Sequence, residues 1–521
     1  MRVALIAPPY PLEEGLSAPL GICYAAAAFE RANAEVIILD YMVRKYSPGK
    51  LIAELSEFKP DFIGATSVTL NFGVAASIVE TAKKAFPSAI TAMGGPHVSF
   101  DYDYTLKRYP GIDLIVVGEG EQTIAELVPA MHNRSAWQGI NGLAFKENGK
   151  VVATPARELI KDLDSLPLPS RHLLQMSRYL AVGFALSIIT SRGCPNGCIF
   201  CQGHRMVGHK IRSRNPKQVV DEIESLLAVG HERVNFSDDF FTSNRKRVKA
   251  ICEEIQRRGL SFGWTAFSRA DSVNREILKI MKDAGCDTIF YGMESGNQEI
   301  LDRIKKRVTL DRIRKAVEDA KAVGMAVFGS FIVGLPGETK ETMMDSHRFA
   351  TELDIIHGYH FLAPFPGTEV KENIHEYDLE LLTDDWAMFD ANRPIVRTSG
   401  VNPEDLETFV DKYFLQPARQ QEAQIEIRYQ EGTLTPMEEM AYFGNKKLNI
   451  VYRILIEDLI ETHGRIPFPK TNTATSMLLA EKLLPYIDTN FEFMLKSVEH
   501  LVEKGYLKHT IEDDHHVWRW A

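Results

Sequence analysis

Short, unbroken apolar runs alternate with longer amphipathic stretches through the first 150 residues. The runs fall at 3–9, 35–40, 61–67, 89–93 and 113–117, with helical periodicity at 21–33 and 73–86 between them. Strands apolar on both faces and separated by helices predict a parallel sheet buried beneath right-handed crossovers. Residues 141–145 and 150–154 flank Asn148-Gly149, a hairpin signal. Leu166-Pro167-Leu168-Pro169 continues neither a helix nor a central strand and reads as linker. A second series follows, with strands at 184–190, 233–237, 262–266, 288–292, 326–333 and 358–363 and helices at 216–228, 245–258, 274–284 and 310–323. Six such units predict a partial barrel, since a closed eight-fold barrel needs about 250 residues. The last part is helical at 449–462, 476–484 and 491–504 and closes on strands near 506–509 and 517–520, an order that fits a winged helix. The predicted division is 1–150, a linker at 151–178, a barrel at 179–395 and a mainly helical region at 396–521.

Composition narrows the class. The chain has 521 residues, is 45% hydrophobic and carries a net charge of −10, which excludes collagen, coiled-coil rods and disorder. That charge gives no drive toward nucleic acid, and the acidic Glu512-Asp513-Asp514 at the presumed wing argues further against it. The longest apolar run, 179–190, is too short for a transmembrane segment. No secretory pattern follows residues 3–9, so the expected location is cytoplasmic. Six cysteines are too few for a disulfide scaffold, but three of them share one loop.

That loop reads Ser191-Arg192-Gly193-Cys194-Pro195-Asn196-Gly197-Cys198-Ile199-Phe200-Cys201, directly after the first strand of the second series. Three thiolates at this spacing can hold three irons of a cubane and leave the fourth iron open to a small molecule. Zinc is the alternative, because His204 follows Cys201 by three residues and completes a Cys3His set.

The loop, with Phe200 just before its third cysteine, resembles the signature of the radical S-adenosylmethionine (SAM) superfamily, and the resemblance covers about residues 180–370. It implies that Cys194, Cys198 and Cys201 bind a 4Fe-4S cluster whose open iron holds SAM. One electron then cleaves SAM to methionine and a 5′-deoxyadenosyl radical that takes hydrogen from substrate. It further implies SAM contacts at successive strand ends: Phe200 itself, then Ser237, Asp238 and Asp239 after the second strand. Glu294 and Ser295 follow the fourth strand, and Val333 lies in the fifth-strand motif 329–338. A carboxylate suits the methionine ammonium because that ammonium needs charge-assisted acceptors.

Loops at the strand ends of residues 1–150 are rich in glycine, proline and hydroxyls. Ligands of open parallel sheets bind at that edge, and the absence of GxGxxG disfavours a dinucleotide. These loops are similar to those of the cobalamin-binding domain attached to many radical SAM enzymes. The resemblance implies contacts at Pro9, Gly21, Ser67, Val68, Thr69, Gly94, Gly95, His97, Glu119, Gly120 and Glu121. The DxHxxG motif that supplies a lower axial histidine is absent, so His97 is not assigned to cobalt. Residues 1–150 contain only Cys23, too few for the second cluster of a methylthiotransferase.

The expected fold class is α/β: a Rossmann-like cobalamin-binding domain, a partial (β/α)6 TIM-type radical SAM barrel and a helical C-terminal domain. The expected cofactors are the 4Fe-4S cluster, SAM and cobalamin. The expected reaction is methyl transfer to an unactivated carbon of a small, hydrophobic substrate, with flavodoxin or ferredoxin as electron donor. The alternative is oxidative cyclisation or ring rearrangement without net methylation, because the layout, including residues 386–398, also resembles the anaerobic magnesium-protoporphyrin ester cyclase. A reading of another class is a cobalamin- or zinc-binding regulatory protein.

Overall fold

The computed structural model describes residues 1–11, 17–469 and 474–521. Strands β1 (Arg2–Ala7), β2 (Glu35–Asp40), β3 (Phe62–Thr66), β4 (Ile90–Gly94) and β5 (Leu114–Val116) are parallel, in the order β2-β1-β3-β4-β5. Along β1, Val3, Leu5 and Ala7 face one hydrophobic core while Ala4 and Ile6 face another, so the unbroken apolar run is what a strand covered on both sides requires. The Asn148-Gly149 turn, with both residues at positive φ, adds β6 (Leu143–Glu147) and β7 (Lys150–Ala153) antiparallel beyond β5. Order 2-1-3 places a topological switch between β1 and β3, where sheets of this kind open a ligand crevice.

The second sheet has six parallel strands in spatial order β15-β14-β13-β12-β11-β8. They are β8 (Leu186–Ile188), β11 (Arg233–Phe236), β12 (Gly263–Ser268), β13 (Cys286–Glu294), β14 (Ala326–Val333) and β15 (Ile356–Phe361). Two short strands, β9 (Ser191–Arg192) and β10 (Arg212–Ser213), pair antiparallel and bracket the cysteine loop. Another short pair, β16 (Glu380–Leu381) and β17 (Val396–Arg397), follows the barrel. The first hydrophobic core runs without a break from the first sheet through the barrel into the C-terminal helices.

At the C-terminal end the expected helix 449–462 is instead Pro436–Ile456 followed by Leu459–His463. The break falls at Asp458, whose φ is +51° and whose Oδ1 accepts the Lys45 backbone N–H of the first region at 3.0 Å. A strand not anticipated from the sequence, β18 (Arg465–Pro467), pairs with the final hairpin of β19 (Leu507–Glu512) and β20 (His515–Trp520). Only three residues long and with a proline, it carries no alternation to read. Among the described residues, no helix is long and apolar enough to cross a membrane.

Candidate active site

The cysteine loop is pinned at both ends. Gly193 turns it at φ +107°, where a Cβ would lie 2.5 Å from the Lys210 carbonyl oxygen, so no larger residue fits. The Cys194 N–H donates to Gly208 O (3.1 Å) and the Ile199 N–H to Ile304 O (3.2 Å), while Ile199 O accepts from the Val370 N–H (3.0 Å). Phe200 is half-buried beside this anchor. Cys198 is buried, Cys194 and Cys201 are half-buried, and all three thiols are free.

Burial pushes the Cys198 thiol up, against the opposing pull of Lys306 and Arg269. Burial also pushes Cys201 up, to about 11, opposed by the Gly203 N–H. Arg269 Nη1 stands 4.0 Å from Cys198 Sγ, and its guanidinium is held by Asp271 (2.8 and 3.0 Å) and by Lys306 O (2.7 Å). Lys306 Nζ in turn pairs with Glu294 Oε1 at 2.7 Å. The Arg269 and Lys306 cations oppose the effect of burial at Cys198 and so favour its thiolate, the form that binds iron. Sequence reasoning missed both; the available signal was Arg269 immediately after β12, at a barrel strand end.

Three free thiols on one short loop are the donor chemistry that a cubane takes. Among the described residues, no three His, Cys, Asp or Glu side chains converge as one ion requires. The His204 ring, the fourth donor of the Cys3His zinc alternative, lies beside that of His209, 4.8 Å away.

The strand-end residues divide. Ser237 and Asp239 line a large cavity, and Asp239 accepts the Gly193 N–H at 3.4 Å. Surrounding protein pushes the Asp239 carboxyl up, with the Gly193 N–H opposing. Asp238 does not share this orientation. Its carboxylate takes the Thr190 N–H and hydroxyl (2.6 Å each), the Ser191 hydroxyl (2.5 Å) and Arg247 (3.3 Å), so it braces β8 against β11. Glu294 reaches the Lys306 pair from a backbone at φ +65°, where β13 bulges against β14. Ser295 is fully buried beneath it, accepting the Asn297 N–H at 3.1 Å and meeting the Ser346 hydroxyl at 3.3 Å. The sequence placed Asp238 and Ser295 beside SAM, but both side chains are satisfied by protein. Val333 is core at the end of β14, paired with Phe361. In the turn after it, Glu338 Oε2 accepts the Gly334 and Leu335 N–H groups (2.6 and 3.2 Å), and complete burial raises its pKa to about 8.

The cavity, about 440 Å³, lies between the two sheets. Leu5, Phe62 and Gly64 line it at the β1/β3 switch, followed by Gly94, Gly95, Gly118 and Gly120 at the strand ends. Ser191, Arg192, Ser237 and Asp239 of the barrel close it. Of the residues expected to touch cobalamin, Gly21, Gly94, Gly95, Glu119, Gly120 and Glu121 are on this wall. Pro9, Ser67, Val68, Thr69 and His97 are not among the lining residues. The Pro9 carbonyl accepts from Asn71, and Val68 is partly exposed. Ser67 O abuts Gly95, where a Cβ would stand only 2.6 Å away. His97 turns into packing, stacked on Phe72 at 4.0 Å, edge-on to Trp386 at 5.0 Å and 3.3 Å from the Thr69 hydroxyl. Burial lowers its pKa to about 3.

Glu119 and Glu121 have a further use. Glu119 takes both Arg212 terminal nitrogens (2.8 and 2.9 Å) and the Ile160 N–H, and Glu121 takes Arg192 at 2.5 Å. Burial pushes Glu119 up, but Arg212 and Arg192 hold it below the usual carboxylate range. These pairs fasten the first sheet to the β9–β10 strands that flank the cysteines. Glu121 Oε2 remains buried without a partner. An orphaned acceptor and a wall of glycines fit a large polar-edged cofactor whose bulk replaces missing side chains.

Comparison with known proteins agrees. The radical SAM superfamily model matches residues 188–350, and the B12 binding domain model matches residues 14–128. An uncharacterized methyltransferase of Pyrococcus horikoshii is 36% identical over 76% of this chain and 87% of its own length. The chain belongs to the B12-binding radical SAM family. Another relative of this B12-binding radical SAM protein, the anaerobic magnesium-protoporphyrin IX monomethyl ester cyclase of Rubrivivax gelatinosus, is 30% identical over 76% of the chain and 75% of its own length. Among solved structures, the cobalamin-dependent SAM radical enzyme OxsB shares the fold with a TM-score of 0.70 at 19% identity, covering 96% of this chain and 84% of that one. The radical SAM methyltransferase TsrM of Kitasatospora setae shares it at 0.64 and 19%, covering 96% and 98%. Membership makes this B12-binding radical SAM protein an enzyme whose cofactors are the 4Fe-4S cluster, SAM and cobalamin, acting on a small molecule. The regulatory reading is left without support.

Proposed function

We propose that this enzyme transfers a methyl group to an unactivated carbon of a small-molecule substrate. The observation that carries the reading is the single cavity walled by both the glycine loops of the first sheet and the strand ends beside the cysteine loop. When bound, the cluster with SAM supplies a hydrogen-abstracting radical, and cobalamin supplies the methyl group. Cys194, Cys198 and Cys201 hold the cluster as thiolates, with Arg269 and Lys306 balancing their charge. Asp239, open to the cavity, accepts the methionine ammonium of SAM, and Glu294 and Ser237 lie at the neighbouring strand ends. Gly21, Gly94, Gly95, Gly120 and Glu121 cradle cobalamin. The apolar walls from Leu5 to Ile124 keep water from the reacting centre. The protein is cytoplasmic and receives its electrons from a flavodoxin or ferredoxin.

The relatives named as methyltransferases support this reading. Oxidative cyclisation is the second reading, favoured by the cyclase relatives. The two part in one assay. Enzyme carrying all three cofactors is given reductant, SAM labelled on its methyl group and a cell extract lacking this protein. Methyl transfer puts label into a metabolite; deoxyadenosine with no labelled metabolite sinks it in favour of cyclisation.

A further inference from the structure

The inner face of the barrel carries an apolar row that the site above does not use. Ala266, Ile289 and Val327 are buried in the main core, and Trp264, two residues before Ala266, donates its ring N–H to Ala284 O at the end of helix Arg275–Asp283, so this face packs on the helices and the neighbours Phe267, Phe290 and Phe328 point to the opposite, concave face. Those three phenylalanines are in strict register on adjacent strands, Phe267 opposite Phe290 and Phe290 opposite Phe328, and Phe328 is opposite Ile356. Their rings follow one another at 5.2 Å and 5.2 Å, tilted by 36° and 39°. None of the four residues joins either hydrophobic core. Phe267 is 43% exposed and Ile356 66%.

A barrel lumen of this kind is normally filled by its own side chains. On β13, β14 and β15 the next inward positions are small, Gly292, Ser330 and Gly358, while past the end of β12 the corresponding residue is Arg269, turned to Cys198. A Cβ on Gly358 would already touch the Phe328 ring at 3.4 Å. The row also has a direction. It starts next to Ser237, the cavity-lining residue that follows the last β11–β12 pair, Phe236 with Ala266. It ends at Ile356, the first residue of β15, on the edge of the sheet. Three strand spacings separate Phe267 from Ile356, about 14 Å.

The geometry points to a substrate-binding shelf for a flat, fused-ring apolar molecule, lying on Phe267, Phe290 and Phe328 with its reacting end toward Ser237 and its far end past Ile356. Tilted rings at this spacing present faces and edges that an extended aromatic or polycyclic body can cover. This inference rests on the enzymatic reading above, because it takes the barrel as the place where substrate is held.

The test uses enzyme loaded with cobalamin and cluster, and pyrenemethanol as the probe, followed by anaerobic equilibrium dialysis. The expected result is saturable binding that Phe267→Ser and Phe328→Ser each weaken about tenfold, the loss of one aromatic contact, and that Phe267→Leu weakens less. Retained cobalamin content is the control for folding. Ile356→Ser, at the exposed end, gives a variant that disturbs no packing and weakens binding by a smaller factor. Unchanged affinity in the two serine variants of Phe267 and Phe328 would overturn the shelf. Deoxyadenosine formation by the unsubstituted enzyme is scored separately; its failure sinks the enzymatic reading, whereas unchanged probe affinity sinks the shelf alone.

Discussion

Around Cys198 the barrel site is made of side chains: three free thiols, the Arg269 cation beside Cys198, and the Lys306–Glu294 ion pair. Across the cavity the first sheet offers almost the reverse. Its wall is Gly64, Gly94, Gly95, Gly118 and Gly120 between apolar flanks, and its site is the space those residues leave. A site built from functional groups fails when one group is removed. A site built from space fails when something is added.

That contrast orders the experiments. The largest effect belongs to Cys194→Ala, Cys198→Ala or Cys201→Ala, each of which should reduce deoxyadenosine formation to background and abolish iron–sulfur absorbance while cobalamin still binds. A variant that kept its deoxyadenosine yield would break the side-chain half of the comparison. Next comes Gly94→Leu. A Cβ there meets nothing nearer than 3.8 Å, so the protein should fold and the new side chain should grow into the cavity. Cobalamin affinity should fall by about a hundredfold, roughly 2.7 kcal/mol, read by absorbance titration, with the cluster intact. Retained affinity would place cobalamin elsewhere.

Arg269→Gln removes one cation beside Cys198 and should lower the cluster midpoint potential by about 60 mV, a tenfold change in a one-electron equilibrium. Potentiometry followed by electron paramagnetic resonance reads it, and an unchanged midpoint would remove Arg269 from the site's electrostatics. The smallest effects concern two buried titratable groups, one in each region. His97, lowered to about 3, is neutral in the fold, so its contribution is present above its unfolded value and is lost as pH falls below about 6.5. Glu338, raised to about 8, holds a proton in the fold, so stability falls as pH rises from its ordinary 4.5 through 8. Glu338→Gln should therefore flatten the alkaline side of a melting-temperature profile by a few degrees, about what 1 kcal/mol is worth. His97→Phe should flatten the acid side. A shift on the wrong side in either variant would reverse the assignment.

The first sheet was readable because its strands are apolar on both faces, and the barrel because its half-polar strands alternate with helices. Residues 326–333 became β14 unchanged, while β13 extends both ways from the expected 288–292 because Cys286 and Glu294 carry no signal distinguishing strand from loop. The cysteine loop was readable because metal chemistry fixes residue type and spacing together. The bracing contacts of Asp238 and Ser295 were not, since a polar residue at a strand end suits a ligand and an internal brace equally well. The bracing partner Arg247 sits on the following helix, whose sequence shows only an amphipathic pattern. Glu119 was noticed for a motif, but its pairing with Arg212, 93 residues away, is a tertiary fact with no local trace. Gly94 and Gly95 were noticed because the absence of a side chain is itself a visible letter.

The Glu119–Arg212 and Glu121–Arg192 pairs bear on how such enzymes can be recombined. Arg192 lies two residues before Cys194, so the contact that seats the first sheet also grips the base of the cysteine loop. A chimera that took its amino-terminal half from one relative and its barrel from another would inherit two acids and two arginines from different parents. Where those parents differ, the graft leaves buried charge without a mate at the junction.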